Sequence, residues 1–156
     1  MTRNLIVMAA AGGSAALLLG ALAFQHLGGL APCTLCLWQR WPHLAAVVIG
    51  LAALALPGRL LPLLGAVAAL ATAGIGGFHV GVEQGWWEGL ASCSAGSIAG
   101  LSVEALLDPT VQVAAPVRCD EVPWALAGLS MAGWNVVLSV ALAGLWVAAA
   151  ARPARA

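Results

Sequence analysis

Long runs without a charged residue constrain this chain more than any other feature. Leu5 to Phe24 is a run of 20 residues without Asp, Glu, Lys or Arg. At about 1.5 Å per residue, a helix of that length spans roughly the 30 Å hydrocarbon core of a bilayer. Over the whole chain, 62% of the residues are hydrophobic and only 8% are charged, against about a quarter charged in an ordinary soluble domain. The sequence therefore predicts a single integral membrane domain.

The apolar segments predict an all-α membrane protein, a bundle of four transmembrane helices. Pro57-Gly58-Arg59 is too short to be anything but a tight turn between two of them. A small-residue edge suited to close helix packing runs from Gly65 to Gly81. The predicted spans are residues 5–24, 35–56, 60–82 and 124–150.

The first apolar segment also has features of a cleaved signal peptide. Arg3 precedes it, and Ala21-Leu22-Ala23 resembles a cleavage site. A signal needs an apolar run of only about 7 to 15 residues, and this run is longer. We therefore interpret the segment as the first transmembrane helix.

One long polar loop, residues 83–123, separates the third and fourth spans. It holds all six acidic residues and the cysteines Cys93 and Cys119. Apolar residues at helical spacing between Ser97 and Leu107 predict a short interfacial helix within it. Glu83 and Glu88 are interpreted as solvated loop charges.

The arginines predict the orientation in the membrane. Arg3, Arg59, Arg152 and Arg155 fall at one set of helix ends, and the acids fall at the other. Positive residues stay cytoplasmic, so both termini are predicted inside and all four cysteines outside, on the oxidising side where disulfides persist. The formal net charge is zero, so the chain lacks the basic footprint of a nucleic-acid-binding protein.

A Cys-x-x-Cys motif, Pro32-Cys33-Thr34-Leu35-Cys36, opens the second span. A helix that begins near Leu35 places Cys36 in its first turn, where free N–H groups favour a thiolate. Arg40 lies one turn deeper on the same face, so the pKa of Cys36 is predicted to be lowered, which makes Cys36 a candidate for electron transfer or thiol exchange. A structural disulfide or half of a metal site explains the motif equally simply.

The four cysteines allow three pairings. The motif favours Cys33 with Cys36, which leaves Cys93 with Cys119, and a crossed pair would be an intermediate in exchange between them.

These residues together resemble the DsbB family, the disulfide bond formation proteins B of bacterial inner membranes. The resemblance covers nearly the whole chain. Its most specific part is the Cys-x-x-Cys with Gln39-Arg40 behind it, at the start of a second transmembrane helix. The other matching features are Phe24-Gln25-His26, the pair of loop cysteines, and the segment from Trp124 to Asn135.

The resemblance implies a thiol oxidase with a defined relay of electrons. A reduced periplasmic thioredoxin-fold protein, DsbA, would attack the loop disulfide at Cys93, with Cys119 as its partner cysteine. Electrons would pass to Cys33 and Cys36 and then to a quinone from the membrane pool, either ubiquinone or menaquinone. Arg40 and His79 match family positions near the quinone. His26 also matches a family position, whereas His43 has no family role to carry over.

Three other classes of protein compete with this interpretation. The cysteines and histidines could bind zinc or haem, although the haem-attachment histidine and zinc-finger spacing are missing, so no metal is predicted. The disulfides could serve only to stabilise a non-catalytic membrane subunit, but that would not explain an arginine inside an apolar helix at Arg40. A thiol oxidase of the vitamin K epoxide reductase type would carry its Cys-x-x-Cys on a late helix.

Overall fold

The computed structural model describes residues 2–94 and 117–153. Within these ranges the chain forms four long helices, one short helix and a two-stranded hairpin. The predicted interfacial helix at 97–107 and Arg155 lie outside the described residues. In chain order the elements are α1 (Arg3–His26), α2 (Thr34–Ala55), α3 (Leu60–Glu83), α4 (Ala91–Ser94), β1 (Ala125–Leu126), β2 (Leu129–Ser130) and α5 (Met131–Ala150).

The long helices pack side by side as a four-helix bundle. Helix α1 lies against α2 and α5, and α3 also lies against α2 and α5, so that α1 and α3 occupy opposite corners. One end of the bundle carries all the cysteines, and we call it the cysteine end. The opposite end carries the α2–α3 turn and the last residues of α5.

Helices α1, α3 and α5 are long and apolar enough to cross a membrane, with mean hydropathies of 2.1, 1.8 and 1.7. Helix α2 has 22 residues, but Gln39, Arg40 and His43 near its start make it less apolar. Many large apolar side chains are exposed on the outside of the bundle, for example Leu51 at 66% and Leu60 at 69%. Such an apolar exterior suits lipid rather than water.

The start of α5 differs from the prediction. The fourth span was expected to begin at about Trp124, but Ala125 pairs with Ser130 and Leu126 with Leu129 in an antiparallel hairpin. Ala127 and Gly128 at its tip both have positive φ, 51° and 80°, as a two-residue type I′ turn requires. The helix therefore begins at Met131, with the Ser130 hydroxyl accepting a hydrogen bond from the Gly133 N–H as its N-cap.

Arg3 closes the opposite end of the bundle. Its side chain is buried, and its guanidinium donates to the carbonyls of Ala53, Leu56 and Gly58 at 2.9, 3.3 and 3.1 Å. The last carbonyls of a helix have no partner within it. Arg3 therefore caps the C-terminus of α2 and links it to the start of α1.

Trp146 of α5 fills the core of the bundle towards the opposite end, with no exposed surface. Glycine on α3 makes room for it, because a Cβ atom on Gly65 would lie 2.5 Å from Trp146 Cδ2. Ala69 and Ala73, on the same small-residue edge, are buried as the edge predicts. Gly77, farther along α3, has no atom within 4 Å of an added Cβ.

We expect Gly65→Ala to destabilise the protein by about 1–3 kcal/mol, because an overpacked core must shift to accept the methyl group. Thermal unfolding in detergent, followed by helical circular dichroism, measures the loss. Gly77→Ala is the matched control on the same helix and should unfold at or above the wild-type temperature. Equal unfolding temperatures for the two variants would contradict the packing described here.

Candidate redox site

Cys33, Cys93 and Cys119 lie in one buried cluster at the cysteine end with Leu35 and Val82, and the half-buried Cys36 packs against it. Cys93 on α4 and Cys119 before the hairpin form a disulfide, with their Cα atoms 5.2 Å apart. Cys33 and Cys36 are free thiols, and their Sγ atoms lie 2.9 Å apart. The loop pair is therefore an oxidised disulfide, and the neighbouring Cys33/Cys36 pair is reduced.

Cys33, rather than Cys36, accepts a hydrogen bond from a backbone N–H at the start of α2. It is the N-cap residue, and its Sγ accepts a hydrogen bond from the Cys36 N–H at 3.3 Å. The hydrogen bond that it shares with the Cys36 side chain lowers the pKa of Cys33, and a hydrogen bond with His79 acts in the same direction. The thiolate predicted at Cys36 is therefore favoured at Cys33 instead.

His79 of α3 lies between the two cysteine pairs. Its Nε2 is 3.1 Å from the Cys119 carbonyl oxygen and 3.7 Å from Cys33 Sγ. Its Nδ1 is 3.0 Å from Gln39 Nε2. His79 therefore joins the Cys-x-x-Cys pair to the loop pair. The sequence does not reveal this contact, because His79 is 46 residues from Cys33.

Glu83 is not a solvated loop charge, so that interpretation was wrong. It is the last residue of α3, and its side chain is only 4% exposed. Its Oε2 accepts a hydrogen bond of 2.5 Å from the Ser130 hydroxyl, and its Oε1 lies 3.9 Å from His79 Nε2. A carboxylate at the N-terminus of α5 is favoured by the helix dipole, so Glu83 fixes the end of α3 to the start of α5. Glu88, in contrast, is exposed, as predicted.

A buried polar network joins α2, α3 and α5 behind His79, and sequence reasoning did not identify it as a unit. Asn135 Nδ2 donates to Gln39 Oε1 at 2.8 Å and to the Thr72 hydroxyl at 3.1 Å. The Thr72 hydroxyl in turn donates to the Gln39 carbonyl at 3.1 Å, and Asn135 Oδ1 is 2.8 Å from His43 Nε2. The available signal was the presence of amide and hydroxyl side chains within otherwise apolar helices.

Backbone carbonyls, which only accept hydrogen bonds, fix the orientation of this network. Gln39 Nε2 lies 3.2 Å from the Leu35 carbonyl, which identifies that atom as the amide nitrogen. The same nitrogen donates to His79 Nδ1, so the proton of neutral His79 is on Nε2. His79 therefore presents a hydrogen-bond donor to Cys33 and to the Cys119 carbonyl.

This proton position bears on metal binding. Ligand atoms of Cys33, Cys36 and His79 lie within 4.8 Å of one another, close enough to hold a metal ion. A metal-ligating histidine normally donates its other N–H to an acceptor, but here Gln39 presents an amide N–H to Nδ1. The arrangement suits a hydrogen-bonding histidine beside a thiolate rather than a metal ligand.

A cavity of about 370 Å³ lies behind Cys36. Arg40 and His79, the two residues predicted to bind a cofactor, both line it. Arg40 is half-buried, and its Nη1 donates to Gln25 Oε1 of α1 at 2.7 Å. The remaining wall is mostly apolar and includes the indoles of Trp124 and Trp134. Apolar walls with a few convergent polar groups are typical of sites that bind small organic molecules.

A second cavity, of about 820 Å³, lies against the loop disulfide on the outside of the bundle. It is lined by Cys93 but not by Cys119, and Trp86, Trp87 and Asp120 also contribute to its wall. Arg118, next to Cys119 in sequence, forms an exposed ion pair with Asp120. Arg118 therefore behaves as a solvated charge.

Comparison with known proteins gives the family. The family described as "Disulfide bond formation protein DsbB" matches residues 3–149. A disulfide bond formation protein B from Methylococcus capsulatus is 36% identical, over 82% of each chain. One from Dechloromonas aromatica is 34% identical over 75% of this chain and 73% of its own. Disulfide bond formation protein B 2 from Pseudomonas aeruginosa is 35% identical over 76% of this chain and 73% of its own.

No solved structure matches the chain significantly. The family match nonetheless spans all four long helices and both cysteine pairs. The chain belongs to the DsbB family of membrane disulfide bond formation proteins.

Proposed function

We propose that this disulfide oxidoreductase oxidises a periplasmic, DsbA-like thioredoxin-fold dithiol protein and passes the electrons through two cysteine pairs to a membrane quinone. One observation carries the proposal. His79 contacts Cys33 Sγ and the Cys119 carbonyl, so that the two pairs share a buried cluster. Cys36 then lines the cavity on the other side of that cluster.

In the proposed topology, all four long helices span the inner membrane and the cysteine end faces the periplasm. Helix α2, with 22 residues, is about 33 Å long, which is enough to cross. Among the described residues, Arg3, Arg59 and Arg152 lie at the opposite end, and the acids lie at the cysteine end. This distribution supports cytoplasmic termini.

The first exchange takes place at the loop pair. A thiolate of the partner protein attacks Cys93 Sγ, breaks the Cys93–Cys119 bond and releases Cys119 as a thiolate. The partner's second thiolate then attacks the partner's sulfur in the mixed disulfide with Cys93. Cys93 is released as a thiolate, and the partner, now oxidised by two electrons, carries a disulfide. The outer cavity beside Cys93 supports attack at this sulfur.

The second exchange takes place between the two pairs. The Cys119 thiolate attacks Sγ of Cys33 in a closed Cys33–Cys36 disulfide and releases Cys36. Cys93 then attacks Cys119, which closes the loop disulfide again and releases Cys33. The low pKa of Cys33 favours this step because a more acidic thiol is a better leaving group. The products are a closed loop pair and an open Cys33/Cys36 pair, the state described here.

The last step closes the Cys33–Cys36 disulfide and removes two electrons and two protons from the pair. A bound quinone supplies the oxidising capacity, since it accepts two electrons and two protons to become a quinol. Arg40 would hold it by donating a hydrogen bond to a ring oxygen. His79 would keep Cys33 in position through its Nε2 donor.

The test of this function is quinone reduction by the purified protein in detergent, with a reduced thioredoxin-fold dithiol protein as donor. We expect stoichiometric formation of partner disulfide and quinol with a ubiquinone or a menaquinone analogue. A folded protein that turns over with neither quinone would overturn the proposal. That result would leave a membrane subunit in which the disulfide has only a structural role.

Arg40→Ala should raise the KM for the quinone by about 10- to 100-fold, the range expected for loss of a hydrogen bond from a charged group. Exchange of the loop disulfide with the partner dithiol should change less than twofold, because Arg40 lies on the far side of Cys36. Arg59→Ala, at the opposite end of the bundle, is the matched control. Equal loss in both half-reactions would argue against a role for Arg40 at the quinone.

A further inference from the structure

His43 is a buried histidine to which neither the sequence nor the proposed relay assigns a role. It is 3% exposed, and it lines the same cavity as Cys36 and Arg40. Its Nε2 is held at 2.8 Å from Asn135 Oδ1. No hydrogen-bond partner for its Nδ1 exists among the residues that the structure describes.

The surrounding network determines which nitrogen of His43 carries the proton. Asn135 Nδ2 lies 3.3 Å from the Thr72 carbonyl and 2.8 Å from Gln39 Oε1, and both of these accept hydrogen bonds. The other amide atom of Asn135, which faces His43, is therefore the oxygen. Because that oxygen accepts only, His43 Nε2 donates and carries the proton.

Neutral His43 then has a lone pair on Nδ1. A cationic imidazole in this place would be buried with one amide oxygen as its partner, which is unfavourable for a charge. The Nδ1 atom is thus a buried, unsatisfied acceptor on a side chain that lines the cavity. Its chemical complement is a hydrogen-bond donor on the ligand.

Building on the proposed function, we propose that His43 Nδ1 accepts a hydrogen bond from a ring hydroxyl of the ligand in its reduced, hydroquinone form. The two oxidation states differ in this respect. A quinone presents carbonyl oxygens, which only accept and so match Arg40. A hydroquinone presents hydroxyl groups, which donate, and so gains the contact with His43.

The contact has a thermodynamic consequence. A site that binds the reduced form tenfold more tightly than the oxidised form raises the reduction potential of the bound two-electron couple by about 30 mV. His43 thereby makes the bound ligand a stronger oxidant of the Cys33/Cys36 pair.

Two variants separate the two nitrogens of His43. In His43→Gln the side-chain amide places an N–H donor near the former Nε2 position and keeps the contact with Asn135, but the Nδ1 acceptor is lost. In His43→Asn the side-chain oxygen stands near the former Nδ1 position, and the contact with Asn135 is lost. The pair is matched in polarity and differs in which contact survives.

The experiment is isothermal titration calorimetry of the oxidised protein in detergent, with decylubiquinone and decylubiquinol in separate titrations. We expect His43→Gln to weaken quinol binding about tenfold, as for one hydrogen bond, and quinone binding less than twofold. His43→Asn should keep the wild-type preference for the quinol.

The outcomes are distinguishable from failure of the proposed function. Equal losses for quinol and quinone in His43→Gln, no loss in either, or a lost preference in His43→Asn would overturn the role of His43 and leave the quinone site in place. A wild-type protein that binds neither form would overturn both proposals.

Discussion

Cys36→Ser is expected to lower quinone-dependent oxidation of the partner by about a thousandfold or more, the scale seen when a covalent catalytic group is removed. Without the Cys36 sulfur the disulfide with Cys33 cannot close, so electrons that reach Cys33 have no route to the cavity. The measurement is the loss of quinone absorbance with the reduced dithiol protein as donor.

The loop pair serves as an internal control in the same variant. The disulfide between Cys93 and Cys119 remains, so Cys36→Ser should still oxidise one equivalent of the partner in a single turnover. Helical circular dichroism should match that of the wild type. Sustained turnover within tenfold of the wild-type rate would show that electrons reach the quinone by a route other than Cys36.

Cys93→Ser should have the complementary effect. We expect turnover with the partner protein to fall at least about a thousandfold, since the loop disulfide that accepts its electrons is gone. The Cys33/Cys36 pair should still be oxidised by quinone after reduction with a small dithiol such as dithiothreitol. Both cysteines of the pair are buried, at 3% and 0% exposure, and Cys93 is the one that lines the outer cavity.

A trapping experiment tests which loop cysteine the partner attacks. A partner protein that lacks its second cysteine cannot resolve the mixed disulfide and should remain attached to the wild-type chain. Peptide mass spectrometry should find the adduct on Cys93. An adduct on Cys119, or continued turnover of Cys93→Ser with the partner, would reverse or remove the proposed order of the relay.

The helices were largely predictable because lipid-facing segments must be long, apolar and hydrogen-bonded within themselves. The predicted third span, 60–82, agrees with α3 (Leu60–Glu83). The start of the fourth span could not be predicted from composition, since the segment from Trp124 to Ser130 is as apolar as the helix that follows it. The chain instead reverses at Ala127 and Gly128, both at positive φ, and forms a hairpin.

The location of a candidate residue was predictable only where its chemistry is local in the sequence. The Cys-x-x-Cys lies at the start of α2, and Arg40 lines the cavity behind Cys36. The positions of Glu83 and Asn135 depend on how α3 and α5 rotate against α2, which hydropathy does not encode. Glu83 was therefore interpreted as a loop charge. In the structure its carboxylate is held inside the bundle by a hydrogen bond from Ser130, which is 47 residues away.

The cap that Arg3 provides links the first helix to the biogenesis of the second. Helix α2 is not among the spans that are apolar enough to cross a membrane alone, and three carbonyls at or just beyond its end accept hydrogen bonds from Arg3. Unsatisfied carbonyls are costly in a bilayer. We therefore expect α2 to enter the lipid beside α1, which is synthesised first and supplies the guanidinium that satisfies these carbonyls.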